Sequence, residues 1–168
     1  MYFFPINDSS TDGLLCVNHE YIDRDALHPN GATTVNDVRT IVEEVRKEIN
    51  AHGVSVVRGR LVDGTWHVVN GDQHNRRFTG ATEMELAGPV AGHARLQTPF
   101  SPNGDLARGT LNNCGNGWTP WGTYLTCEEN WPGYFYTEDG DNRTEDQKRL
   151  GLSDSSRYLW HTVAGDAS

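Results

Sequence analysis

Sulfur is scarce in this sequence, which holds three cysteines and two methionines in 168 residues. Cys16, Cys114 and Cys127 form an odd set, so no disulfide framework can pair them all within the chain. One bridge with a free thiol and a fully reduced set both stay open. No C-x-x-C pair occurs, which argues against a structural zinc knuckle. Long apolar runs are missing too; none approaches the ~20 residues that span a bilayer. The opening Met1-Tyr2-Phe3-Phe4-Pro5 has neither the basic stretch nor the long apolar stretch of a signal peptide. There is no basic run and the net charge is −9, so nucleic acid is not an expected partner. P-loop, nucleophile-elbow and dinucleotide signatures are absent. Hydrophobic residues make up 36%, a modest supply for a closed core.

Glycine and proline are plentiful, at 18 and seven, and favour many short elements joined by turns. The fold expected is mainly β, built of antiparallel hairpins with one helix. Leu14-Leu15-Cys16-Val17 reads as a buried strand that delivers Asn18-His19-Glu20-Tyr21 at its end. Val35, Val38, Val42, Val45 and Ile49 recur at helical spacing and predict an amphipathic helix near 35–52. Thr34 is its expected N-cap and Gly53 its C-terminal stop. Glu43 and Lys47 should form an i,i+4 pair, worth about 0.3 kcal/mol. Val54-Ser55-Val56-Val57-Arg58 and Thr65-Trp66-His67-Val68-Val69 alternate as strands, and Asp63-Gly64 between them signals a type I′ hairpin. Thr123-Tyr124-Leu125-Thr126 and Tyr158-Leu159-Trp160-His161 are further strand candidates, and residues 137–157 read as a surface loop.

The densest chemistry lies in Thr126-Cys127-Glu128-Glu129-Asn130. Neighbouring negative charge makes a thiolate beside carboxylates unfavourable, and a bound cation reverses that balance. Thiolate plus carboxylates suits a transition metal with an oxygen-ligated neighbour such as calcium. A small buried cysteine followed by two exposed acids fits the same spacing. His19-Glu20 offers a ligand pair or two polar residues at a strand end. Asn112-Asn113-Cys114-Gly115-Asn116-Gly117 offers amide oxygens around an ion, or an ordinary turn. Trp118, Trp121, Tyr124, Trp131, Tyr134 and Phe135 are expected to pack between sheets. Asn75-Arg76-Arg77 could meet a phosphate or join surface acids.

In order along the chain, five stretches resemble the PhoX alkaline phosphatase family: Gly13 to Tyr21, Gly53-Val54-Ser55-Val56-Val57, Asn75-Arg76-Arg77, Gly88-Pro89-Val90-Ala91-Gly92-His93 and Gly109 to Cys114. A sixth, Thr119-Pro120-Trp121-Gly122-Thr123-Tyr124-Leu125-Thr126-Cys127-Glu128-Glu129-Asn130, is the most specific. The resemblance implies a partial β-propeller: a single incomplete domain, residues 1–168, of a longer phosphatase. It also implies hydrolysis of phosphate monoesters with ferric iron (Fe3+) and calcium (Ca2+) as cofactors, and periplasmic or secreted placement by twin-arginine export. By position, Cys127 resembles the family's iron-ligating cysteine, and Glu20, Glu128 and Glu129 resemble carboxylates of the same cluster. His93 and Asn113 match the motif without a defined role. Further ligands and the phosphate-binding arginine would lie beyond this chain, which alone would be inactive. The alternatives are a non-catalytic calcium-binding propeller segment and a calcium-dependent lactonase or phosphotriesterase-type propeller hydrolase.

Overall fold

The structure is a computed structural model and describes residues 1–163. Eleven strands and three helices are present among them, in chain order β1 (Tyr2–Pro5), β2 (Asp12–His19), α1 (Arg24–Leu27), β3 (Thr34–Val35), β4 (Val38–Arg39), α2 (Val42–Ala51), β5 (Gly53–Val62), β6 (Thr65–Val68), β7 (Arg76–Phe78), β8 (Glu83–Glu85), β9 (Leu106–Arg108), β10 (Asn113–Trp118), β11 (Tyr124–Glu128) and α3 (Glu145–Arg149). Every pairing is antiparallel, and the chain is mainly β.

The largest sheet is centred on β5, whose ten residues pair with β2 from Gly53↔His19 to Arg60↔Asp12. On its other edge β5 takes β6 at one end and β7 at the other. The β5–β6 hairpin turns on Asp63 and Gly64, both at positive φ (50° and 80°), as the dipeptide predicts. Gly53 opens β5 at φ 114°, where an added Cβ would sit 2.1 Å from the Phe78 carbonyl oxygen. Only glycine lets α2 turn into β5 under β7. Across the sheet, Arg58 bridges Asp12 and Asp72 at 2.9 and 2.7 Å. Hydrogen bonds from Arg58 and Arg60 hold the Asp12 carboxyl down at about 2.

The helix begins later than its apolar spacing predicts. Asn36 and Asp37 take positive φ (51° and 60°) and close the two-residue strands β3 and β4 into a hairpin. Val35 and Val38 therefore lie on an exposed turn, not on a helical stripe. Thr34 is not the N-cap; Ile41 occupies that place without a side-chain hydrogen bond. Asn and Asp tolerate the left-handed region, and here this turn chemistry overrides valine periodicity. Glu43 pairs with Arg46, not Lys47, whose ammonium donates to the Leu27 carbonyl. Tyr158–His161 is not a strand: Leu159 is left-handed and Trp160–Thr162 form a 3₁₀ turn. The interval 137–157 holds α3, opened by a capping box between Thr144 and Gln147.

That C-terminal turn completes the core. Val45 and Ile49 of α2 pack with Ile22, Tyr134, Tyr158, Trp160 and Val163. The Tyr134 and Tyr158 rings stack at 4.8 Å. Of the aromatic residues expected to pack, Tyr134 does so, whereas Trp121 is 79% exposed and Trp118 and Phe135 are also exposed.

At the centre of this core lies a charge. Glu48 is fully buried; Arg39 donates to both its oxygens at 2.6 and 2.9 Å, Trp160 Nε1 donates at 2.7 Å, and His28 Nε2 lies at 2.9 Å. Burial pushes the Glu48 carboxyl up, but the hydrogen bonds from Arg39 and Trp160 outweigh it and leave the group below its ordinary value. Removing one partner from a buried pair strands the other charge. Glu48→Ala should cost about 3–5 kcal/mol, read as a lower urea midpoint at an unchanged slope. A loss below ~1 kcal/mol would mean that water, not Glu48, solvates Arg39.

Candidate metal centre

Three elements converge beside the end of β2. Asn18, near that end, donates through Nδ2 to the carbonyls of Cys114 and Gly115 at 3.3 and 3.1 Å. Its Oδ1 accepts from Tyr124 and Thr126 hydroxyls at 2.7 and 3.3 Å. One side chain thus ties β2 to both strands of the β10–β11 hairpin. Glu20 follows β2, Cys114 is in β10, and Glu129 follows β11. Their ligand atoms lie within 4.8 Å of one another, and all three residues are exposed.

The electrostatics of this trio are unfavourable for an anionic sulfur. A hydrogen bond to Glu129, burial, the charges of Glu129 and Glu20, and a hydrogen bond to Glu20 together push the Cys114 thiol up to about 11. At neutral pH it stays protonated, with a single hydrogen to give to a carboxylate. A cation in the same place would remove that proton and neutralise the acids. Just before Cys114, the side-chain oxygens of Asn112 and Asn113 are buried without a partner. Buried amide oxygens in that state are acceptors that an ordered water would satisfy. The donor set therefore fits a cation that takes sulfur and oxygen together.

Of the residues singled out in sequence, Glu20 and Glu129 are brought together. Cys127 is exposed and is not among the three clustered groups. Glu128 also stands apart, accepting from the Thr110 hydroxyl at 2.8 Å and the Leu111 amide at 2.9 Å. Asn113 is fully buried and donates to Thr110 at 2.7 Å. His93 Nδ1 accepts from the Arg95 amide, at the start of a 3₁₀ turn. Arg77 donates to the carbonyls of Asn50, Ala51 and His52 at the end of α2, where a cation complements the helix dipole. Cys114 stood in sequence within an Asn/Gly stretch read either as useful around a phosphate or calcium or as an ordinary turn. Pairing the two strands about Thr119-Pro120-Trp121-Gly122 places Asn113 opposite Glu128, and this register is the signal that brings Cys114 near Glu129.

The metal-free thiol can be tested directly. In a Cys127→Ser background at pH 8, Cys114 should react with iodoacetamide roughly 100-fold more slowly than an ordinary exposed thiol, because only the thiolate attacks. Glu129→Gln should lower the thiol pKa and speed the reaction. Equal rates for the two chains would show that the carboxylate does not govern the sulfur.

Comparison with known proteins bears on the family and the fold. The family model described as alkaline phosphatase PhoX matches residues 1–167. A solved structure described as Pseudomonas fluorescens PhoX in complex with vanadate, a transition state analogue, superposes with a TM-score of 0.84 at 37% identity. The match covers 95% of this chain and 27% of that one, so the chain spans about a quarter of the length of that protein. No curated protein sequence matches. With a family match over nearly its whole length and a shared fold at this identity, the chain belongs to the PhoX alkaline phosphatase family.

Proposed function

We propose that this chain is a segment of a PhoX-type β-propeller that hydrolyses phosphate monoesters at a centre containing Fe3+ and Ca2+. The observation that carries this reading is the convergence of one thiol and two carboxylates, Glu20, Cys114 and Glu129, from three separate elements. Calcium alone prefers oxygen ligands and gains nothing from sulfur. A thiol between two carboxylates therefore favours a centre that also takes iron, over a calcium-only binding segment or lactonase-type site. The vanadate held by the matched Pseudomonas protein supports phosphoryl chemistry in the family fold. Placement in the periplasm or outside the cell goes with that family; among the described residues no helix is long and apolar enough to cross a membrane.

Within this segment Cys114 is the thiolate ligand, with Glu20 and Glu129 as carboxylate ligands; Cys127 and Glu128 lie outside the trio. Asn18 keeps the two strands of the hairpin against β2, so the three donors share one small space. Glu128 braces the Thr110–Leu111 backbone, one residue before buried Asn112. When bound, the cations supply the charge neutralisation that phosphoryl transfer requires. That contribution is proportionate to the task, because phosphate-monoester hydrolysis is accelerated by up to ~10²¹-fold in enzymes and one polar donor supplies only ~10²–10³-fold.

The remaining ligands and the substrate clamp belong to the rest of the propeller. An apolar cavity of about 740 Å³ beside α2, lined in part by Ile49, Leu86, Leu96, Phe100 and Leu111, is a face that further blades would cover. The 168-residue chain alone should show no turnover of p-nitrophenyl phosphate. In the full-length protein, Cys114→Ser should lose iron by elemental analysis and drop activity by at least ~100-fold, while Cys127→Ser keeps both. Iron retained in Cys114→Ser, or lost in Cys127→Ser instead, would overturn the assignment. Calcium without iron in the wild type would favour a calcium-only hydrolase.

A further inference from the structure

A second line of hydrogen bonds runs behind the trio, and it is directional. His52 is fully buried at the end of α2, with Nδ1 2.9 Å from the Glu48 carbonyl oxygen and Nε2 2.9 Å from the Tyr134 hydroxyl. A carbonyl only accepts, so Nδ1 carries the hydrogen. Burial pushes the His52 pKa down, so the ring is neutral at pH 7 and Nε2 presents its lone pair. Tyr134 must then donate to Nε2. Its oxygen is left to accept from Asn112 Nδ2 at 2.9 Å. The same amide nitrogen lies 3.3 Å from the Glu20 carbonyl oxygen, which fixes the orientation of the amide. On its backbone side, Asn112 accepts from the Glu129 amide at 2.9 Å.

Asn112 therefore holds the backbones of both Glu20 and Glu129, while Tyr134 and His52 hold Asn112. Asn112 sits in the left-handed region (φ 47°) and is 1% exposed, so neither its backbone nor its side chain has room to relax elsewhere. We infer that His52, Tyr134 and Asn112 are positioning residues that set the spacing of the Glu20 and Glu129 carboxylates from the rigid end of α2. The inference rests on the metal reading given above. Asn112 meets the two proposed ligands through their backbones, and Tyr134 and His52 act through Asn112. Outer partners of this kind typically alter metal affinity by about 10–100-fold.

The test uses the full-length protein, with ferric affinity measured by competition against a chelator and the thiolate-to-iron absorption band recorded for each variant. Tyr134→Phe removes one hydroxyl and keeps the ring, and should weaken iron about 10-fold and move the band. Asn112→Ala should weaken it further. Val45→Ala loosens the same core without touching the hydrogen-bond line, and should leave affinity and band unchanged at a comparable loss in melting temperature. If Tyr134→Phe and Asn112→Ala bind iron like Val45→Ala, with the band unmoved, the relay has only a structural role and the inference fails. If wild type shows no thiolate-to-iron band, or Cys114→Ser keeps it, the metal reading itself fails and the relay with it.

Discussion

The buried Glu48 carboxylate is the constraint on which the rest of the structure depends. It takes two hydrogen bonds from Arg39, one from the Trp160 indole and a contact from His28, so it draws three separate stretches of chain onto one side chain. Several kcal/mol of desolvation make such a charge tolerable only when every partner is in place. α2 is therefore pinned against β4 and the C-terminal turn in one arrangement. Because His52 and Glu48 share the same helix, the core charge and the hydrogen-bond line toward the candidate site have a common rigid origin.

From α2 the construction passes outward through progressively more polar and more exposed layers. Val45, Ile49, Tyr134, Tyr158 and Trp160 form a core of aliphatic and aromatic side chains. Asn112 and Asn113 form a buried polar layer with unsatisfied oxygens. Glu20, Cys114 and Glu129 lie at the exposed surface. Apolar packing supplies rigidity, the amides transmit position, and the ionisable groups remain accessible to solvent. A site that collects cations from solution needs that last property, and one that holds them at fixed distances needs the first two.

The sequence made some of this legible and hid the rest for identifiable reasons. Asp63-Gly64 specified its hairpin because the turn chemistry is local. The valine stripe misled at its N-terminal half because Asn36-Asp37 encode a competing turn, which periodicity does not register. Trp160 looked like a strand residue; its place in the core is set by Glu48, 112 residues away, and no local signal encodes that. At the candidate site, Glu20 and Glu129 were visible as acids at strand ends. Cys114 was hidden because its place beside Glu20 and Glu129 depends on the β10–β11 register, with its bulge between Asn113 and Asn116. Cys127, embedded in the denser acidic motif, was the cysteine singled out in sequence, and it stands outside the clustered trio.

The high pKa of the Cys114 thiol has a consequence for the life of the protein before any ion arrives. A protonated sulfur is a poor nucleophile and oxidises slowly, whereas an exposed thiolate is the usual entry to sulfenic acid. The two carboxylates that would welcome a cation thus shield the sulfur chemically until one comes. An exposed thiol can in this way wait, reduced, without being hidden.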